Sequence, residues 1–396
     1  MVGMGKVVTD KNKIEEILNR GVIVEILPSK EEFLAKLTSG GKIRIYIGAD
    51  PTSDSLHLSH AKNYMLLEEF RQLGHEVIVL VGDFTAQIGD PADKTAARVQ
   101  LSEAEVKKNV KSWISQIKPL MNFSDWKNPP QIKYNSKWLS GMSWKDELML
   151  ASNLTVQRML ERDMFQKRIK NDSPIYLHEF QYPLMQGYDS VAMDVDVELC
   201  GTDQIFNALV GRTLLKKLKN KNKFVVAVNL MENPKTGELM SKSRGTGVFL
   251  SSSPNEMFGA IMAQPDEMTE VLLVNVTRIP LVEKEKILGL GPRNAKMYVA
   301  RDIVKRFYGE KSADKAKQEW EGVFSRGELP SEIEEVEGGK LMDIVEVGGA
   351  VSSTQAKRLI DQGATRINGE VVKEWNFEPK KGDVVQIGPK KFMRIK

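Results

Sequence analysis

The chain has 396 residues, 41% of them apolar and 28% charged, a globular composition too long for one hydrophobic core, so two or three domains are expected. Its 57 basic and 53 acidic residues leave a formal charge of +4, which excludes a chain that coats a polyanion with its whole surface; any such partner is met by local patches. The single cysteine, Cys200, excludes an intrachain disulfide; no apolar run reaches the roughly 18 to 20 residues of a membrane span, and the start lacks a signal-peptide core, so a soluble cytoplasmic protein with no membrane partner is expected.

Residues 10–38 read as a helical lead-in, with Ile14, Ile17 and Leu18 and then Phe33, Leu34 and Leu37 at helical spacing, broken at Gly40 and Gly41. Lys42 to Ile47 reads as a strand, Leu58 to Leu73 as a helix stopped by Gly74, and Glu76 to Val81 as a buried parallel strand stopped by Gly82. Strand, helix, strand with so long a connection is a right-handed βαβ unit. Its ligand belongs beyond the carboxyl ends of the strands, at residues 47–60 and 82–90. From 101 to 170 the period is helical, and Leu150, Leu154, Met159, Leu160 and Phe165 predict one helix over 148–169, of a length that suits either intramolecular packing or a dimer face. Phe224 to Asn229 is a further buried strand, and the pattern beyond Phe249 is mainly helical through the run Arg301 to Trp320.

Five glutamates between 328 and 337, with Pro330, Gly338 and Gly339, mark residues 325–340 as an acidic linker. The tail, 341–396, is a different object. Ser353 is placed to cap a helix over Thr354 to Asp361; Asn368-Gly369 is a two-residue hairpin turn; Val384 to Gly388 and Phe392 to Ile395 supply strands. Ten basic against seven acidic residues make this module positive. Lys357, Arg358, Arg366, Lys390, Lys391 and Arg394 suit phosphates, although an ordinary basic surface would look the same.

Two local signals carry chemistry. His57 and His60 stand three apart at a helix start, where free N–H groups, partial positive charge and imidazole donors suit a phosphate. Tetrahedral zinc would want more ligands than this pair supplies; a pair of solvent-facing histidines is the plainer alternative. The second signal is the polar, glycine-flanked loop Glu238 to Gly245, with Ser241, Lys242 and Ser243, which suits a clamp on a triphosphate and, taken alone, is a common surface loop.

Together the two resemble the signature motifs of class I aminoacyl-tRNA synthetases, and the wider match resembles the bacterial-type tyrosyl-tRNA synthetases. The blocks that carry it are Tyr46 to His60, Val81 to Pro91, Tyr182 to Asp189 followed by Gly201 to Gln204, and Met240 to Ser243. The tail resembles an RNA-binding domain of a small-subunit ribosomal protein. The resemblance implies a Rossmann-like parallel-sheet catalytic domain over 1–248 with a helical dimer-interface insertion at about 130–200. A helical anticodon-binding domain over 249–324, the linker, and a small α+β RNA-binding domain over 341–396 follow. It implies ATP with Mg²⁺, L-tyrosine and tRNA(Tyr) as partners, no protein-bound metal, and a homodimer. Tyr46 and Asp189 match the pair that meets the phenol of tyrosine, and Asp90, Tyr182 and Gln186 the set around its ammonium group. Gly48, Asp50, Gln204 and Met240 match ATP or adenylate positions. Thr52, His57 and His60 grip the phosphates, and Lys242 and Ser243 cover the leaving pyrophosphate. Lys94 and Arg98 fall near the tRNA acceptor end or pyrophosphate, and Lys357, Arg358 and Arg366 on the RNA-binding module. Without the resemblance, Asp189 reads as a surface carboxylate and Tyr182 as a packed ring. Cys200 has no role and is expected to be buried and inert.

Two positions depart from the family pattern. Ser59 replaces the glycine that lets the backbone approach adenine, and Leu239 replaces the leading lysine of the second signature. They keep open a non-catalytic RNA-binding descendant, while a tryptophan-specific enzyme is the nearer rival. An indole, however, has no hydroxyl for Asp189.

Overall fold

The architecture comes from a computed structural model, which describes residues 7–90, 101–240, 246–326, 329, 333–349, 352–388 and 391–396. Two compact units divide at residues 314 and 315. In the first, six strands form one sheet: β1 (Ile23–Leu27), β2 (Arg44–Ala49), β3 (Glu76–Val81), β4 (Gln131–Tyr134), β5 (Val197–Gly201) and β6 (Phe224–Val228). Their order is β1-β6-β5-β2-β3-β4, all parallel except β1, which pairs antiparallel with β6 at one edge. This is the Rossmann-like parallel sheet expected. The strand order reverses between β2 and β5, so both strand ends open onto one crevice.

Local sequence explains the βαβ unit. The helix Leu58–Gln72 buries Ala61, Tyr64, Met65, Leu66, Leu67 and Phe70 against the sheet and ends before Gly74, whose φ of +96° is the left-handed conformation glycine supplies. β3 is an almost wholly buried run that stops at Gly82. A Cβ there would sit 2.0 Å from Asp50 Oδ1 and 2.5 Å from Thr85 Oγ1, so only glycine lets this turn close over β2's end. Gly187 acts similarly between the helices Gln181–Met193 and Ile205–Lys219, where a Cβ would meet Gly211 N at 3.1 Å and Leu214 at 2.9 Å.

The single helix expected over 148–169 is three: Trp144–Ala151, Val156–Leu160 and Asp163–Lys170. Thr155 causes the first break, its hydroxyl accepting the Arg158 N–H at 3.2 Å as an N-cap. The lead-in contains β1 between two helices, and β4 and β5 lie in stretches whose periodicity did not reveal them. Helices Pro254–Met262, Met268–Val276 and Pro292–Tyr308 follow the sheet and bury Phe258, Leu272, Leu273, Val299, Ile303 and Val304.

The second unit carries helices Leu341–Val347 and Ser353–Asp361 on a sheet of β7 (Glu334–Val336), β8 (Thr365–Ile367), β9 (Glu370–Val371), β10 (Val384–Ile387) and β11 (Lys391–Ile395), ordered β7-β11-β10-β8-β9. Its core is Leu341, Ile344, Val345, Ile360, Val385 and Met393. Asn368 and Gly369, at φ +51° and +93°, make the expected turn between β8 and β9. The helix cap is Ser352 rather than Ser353, and β7 occupies part of the segment read as linker.

Candidate active site

A cleft of about 560 Å³ opens at the carboxyl ends of β2 and β5. β2 delivers Tyr46 and Gly48, and the turn beyond it Asp50 and Thr52; the helix start at 57 delivers His57, Ser59 and His60. Tyr182, Gln186 and Asp189 enter from the Gln181–Met193 helix at a spacing of four and three, which puts them on one face. Asp90 and Gln204 close the wall. Met240 does not line this cleft: its side chain is buried and its N–H bonds Met231 O at 2.9 Å. Lys94, Arg98, Lys242 and Ser243 lie outside the described residues. Lys357, Arg358 and Arg366 are on the second unit, with Lys357 Nζ 4.8 Å from the Trp375 ring centre and Arg366 donating to Gly369 O at 3.0 Å.

At the apolar end, Tyr46 and Asp189 are both almost completely buried. Tyr46 Oη shares a hydrogen bond of 2.9 Å with Ser190 Oγ, and Trp138 Nε1 donates to Asp189 Oδ1 at 2.8 Å while Asn135 Nδ2 reaches Oδ2 at 3.4 Å. Burial pushes the Asp189 carboxyl well above the usual range, against the pull of those two donors. Burial, then the charges of Glu198 and Asp189, push the Tyr46 phenol up as well, so it stays protonated. Behind them Lys223 and Glu198 form a buried ion pair, and Lys223 Nζ also donates to Ser190 Oγ at 2.8 Å.

The middle of the cleft is a web of acceptors. Asp50 takes the Tyr182 hydroxyl at 2.9 Å and the Thr85 hydroxyl at 2.7 Å. Asp90 takes Gln204 Nε2 at 2.8 Å and the buried Arg162 guanidinium at 3.2 Å. Gln186 donates to Glu198 at 3.1 Å, and Asn207 bridges Gln186 and Gln204 at 2.8 and 2.9 Å. Asp50, Asp90 and Gln186 line one space, and acceptors so gathered favour a cationic group.

The mouth is set by the helix start. The His57 and His60 rings are 4.0 Å apart between centres, and His60 Nδ1 accepts the His57 N–H at 3.2 Å, which leaves the His60 proton on Nε2 as a donor. Burial lowers His57 to about 4 and His60 to about 3, so both are neutral near pH 7. The segment after the second signature is tied to this point, Val248 O accepting from Leu58 N at 3.0 Å and Leu250 N donating to Leu56 O at 2.8 Å. Neutral donors with the positive end of the helix dipole fit a phosphate chain.

Residues 38–325 match the family model described as tRNA synthetases class I (W and Y), and residues 340–385 match that of the S4 domain. The chain is 41% identical to the tyrosine–tRNA ligase of Carboxydothermus hydrogenoformans over 96% of its own length and 97% of that protein's. It is 39% identical to the tyrosine–tRNA ligase of Thermotoga maritima over 96% of each. The chain belongs to the class I tyrosyl-tRNA synthetases. As a member of that family it is a ligase, and the tryptophan alternative falls to these relatives. The fold alone is also that of the C-terminally truncated mitochondrial tyrosyl-tRNA synthetase of Aspergillus nidulans, at a TM-score of 0.66 and 22% identity over 79% of this chain and 94% of that one.

Sequence reasoning missed the residues that hold the family's signature side chains in place. Trp138 and Asn135 lie in a segment read only as helical, and Ser190, Asn207 and Arg162 carry no local pattern. Glu198 and Lys223 offered one signal, charged residues beside runs that are otherwise buried strand. Cys200 is buried, with its thiol pushed up by burial, and forms part of the cleft wall.

Proposed function

We propose that the chain activates L-tyrosine with Mg-ATP to tyrosyl-adenylate and pyrophosphate and then transfers tyrosine to the 3′-terminal adenosine of tRNA(Tyr). The observation that carries this reading is the sequence of environments along one cleft: a buried phenol-and-carboxyl pair at Tyr46 and Asp189, a cation-accepting web at Asp50, Asp90 and Gln186, and a neutral donor pair at a helix N-terminus. Tyrosine laid along it would put its hydroxyl at Asp189 and its ammonium group in the web. Its carboxylate would then face an α-phosphate held near Thr52, His57 and His60. No side chain needs to act as nucleophile; positioning and charge stabilisation of the transferring phosphoryl do the chemistry. Lys242 and Ser243 belong to the pyrophosphate side in this reading, and Lys94 and Arg98 to the pyrophosphate or tRNA end. In this reading the magnesium arrives with the triphosphate.

The second unit, with Lys357, Arg358 and Arg366, is assigned to tRNA, consistent with its S4-domain match. Pairing of two copies through the helical insertion accounts for Trp144, Leu148, Met149, Val156, Tyr176 and Leu177, all more than half exposed. Cytoplasmic residence belongs to the same reading. ATP–pyrophosphate exchange with each of the twenty amino acids tests the activity: tyrosine-dependent exchange is expected, and exchange with tryptophan alone or with none overturns it. Deleting residues 341–396 is expected to spare exchange and impair tRNA charging; equal loss of both refutes the RNA assignment. Sedimentation shows whether the chain is a dimer.

A further inference from the structure

Lys62 is a buried lysine for which the reading above has no use. It lies on the Leu58–Gln72 helix, is 1% exposed, and forms part of the cleft wall. Among the described residues its one hydrogen-bond acceptor is the side-chain oxygen of its neighbour Asn63, at 3.0 Å, and it makes no ion pair there. An ammonium group has three donors, and burying it without a carboxylate in contact is costly. A buried cation of this kind, at the wall of a ligand cleft rather than in a core, is explained by a ligand that completes its coordination.

Its position selects which part of the nucleotide it meets. Lys62 is one helical turn from Ser59, so the two share a face, and Asn63 stands beside them on the cleft. It is five residues past the His57 cap, roughly 7 Å further along the axis at the usual rise. The phosphate donors are therefore behind it, at the helix start. The charged group that faces it is Asp203, from the turn after β5, and the neutral imidazole of His60 lies beside it on its own helix. A carboxylate at Asp203 repels phosphates and accepts from ribose hydroxyls, and Leu230 of the same wall offers an apolar surface for a base. We infer that Lys62 is a further nucleotide-contacting residue, whose ammonium group donates to an acceptor of the adenosine part of ATP, a ribose oxygen or a ring nitrogen, between Ser59 and Asp203.

The inference rests on the tyrosine-activating reading of the cleft and extends it. It also gives the chain a nucleotide-directed cation on a rigid helix, in a protein where Leu239 stands in place of a loop lysine. Burial lowers Lys62 to about 7, against the opposing pull of Asp203. A ligand acceptor that completes its hydrogen bonds favours the protonated form, so nucleotide binding and protonation reinforce each other.

The test is Lys62→Met in tyrosine-dependent exchange. The ATP KM is expected to rise by about tenfold, the loss of one charge-assisted hydrogen bond, while the tyrosine KM stays the same. In the unsubstituted protein the ATP KM should climb between pH 6 and 8, and in Lys62→Met that climb should vanish, a result a merely structural lysine would not give. An unchanged ATP KM, or equal rises for both substrates, overturns the inference. Absence of tyrosine-dependent exchange in the unsubstituted protein overturns the function reading instead. Should the variant fail to fold, calorimetry of adenosine binding to the unsubstituted protein at pH 7.5, in two buffers of different ionisation enthalpy, decides: adenosine lacks the phosphates that would draw protons onto His57 and His60. Fractional proton uptake supports Lys62, and none refutes it.

Discussion

Replacing Trp138 by phenylalanine isolates the group that holds Asp189. The bond removed is Nε1 to Oδ1 at 2.8 Å, and the carboxyl it serves is 3% exposed. Asn135, at 3.4 Å, is then the remaining donor among the described residues. A buried polar group left short of a partner costs about 1 to 3 kcal/mol. If that cost falls on the orientation in which Asp189 meets the substrate phenol, it converts at about 1.4 kcal/mol per decade to a rise in tyrosine KM of roughly 5- to 150-fold. ATP KM should be untouched, because Trp138 stands at the opposite end of the cleft from the histidine pair. Tyrosine-dependent pyrophosphate exchange over a range of tyrosine and ATP concentrations measures both, with thermal unfolding as the control for the smaller ring. A tyrosine KM within twofold of the starting value, in a variant that unfolds normally, would show that Trp138 does not position Asp189 for substrate.

Glu198→Gln leaves the Lys223 ammonium group buried beside a neutral amide, which should cost about 3 to 5 kcal/mol; chemical denaturation measures it, and a loss below about 1 kcal/mol, the range of an exposed pair, contradicts the burial argument. Gly82→Ala drives a Cβ into Asp50 Oδ1 at 2.0 Å, so the Asp50 to Tyr182 bond must shift and the tyrosine KM must rise; normal exchange kinetics would refute the close approach. Acid should destabilise the fold through its histidines. His57, His60 and His75 are lowered by burial to about 4, 3 and 4, below the value near 6.5 of an unfolded chain. The unfolded chain therefore takes up protons first as pH falls, and stability present above pH 6.5 is lost progressively toward pH 4. His75 is fully buried, with neither ring nitrogen hydrogen-bonded among the described residues, so His75→Leu should flatten the decline in Tm between pH 7 and 5; an unchanged slope argues against it.

The parts of this molecule legible in its sequence are those written over short spans. β2, the helix after it and β3 follow from apolar runs punctuated at Gly74 and Gly82, and the Asn368-Gly369 turn from the conformations those two residues tolerate. The motif residues of the cleft were named because each block is contiguous. Failures came where the determining partner is remote. β4 is short, pairs among the described residues with β3 alone, and is half-buried at every position, so it has no alternation to announce a strand. The break at Thr155 was missed because a capping hydroxyl looks like any threonine inside an amphipathic pattern. Asn135 and Trp138 are 51 or more residues from Asp189, and nothing local to either end announces the bond. Met240, whose motif position pointed to ATP, has its side chain buried and its N–H paired with Met231 O, away from the cleft wall.

The hydrogen bonds of the cleft form two chains, and their layout gives a reason for the buried ion pair. One runs from Tyr46 through Ser190 to Glu198, then through Gln186 and Asn207 to Gln204 and Asp90. The other runs from Tyr182 through Asp50, Thr85 and Asn135 to Asp189. Each chain joins the Tyr46 and Asp189 end of the cleft to the Asp50 and Asp90 end, so neither end can rotate without disturbing the other. Glu198 is the branch point of the first, accepting from Ser190 at 3.3 Å and from Gln186 at 3.1 Å. A carboxylate is suited to that place because it accepts at both oxygens and donates at neither, which fixes the direction of both bonds. Lys223 then supplies the countercharge, its ammonium group paired with that carboxylate and donating to Ser190 Oγ as well. As a contribution to stability such a pair is close to replaceable by apolar side chains. As a device that orients a hydroxyl and an amide it is not, since an apolar pair would take from the Ser190 hydroxyl and the Gln186 amide the acceptor that fixes the direction of each.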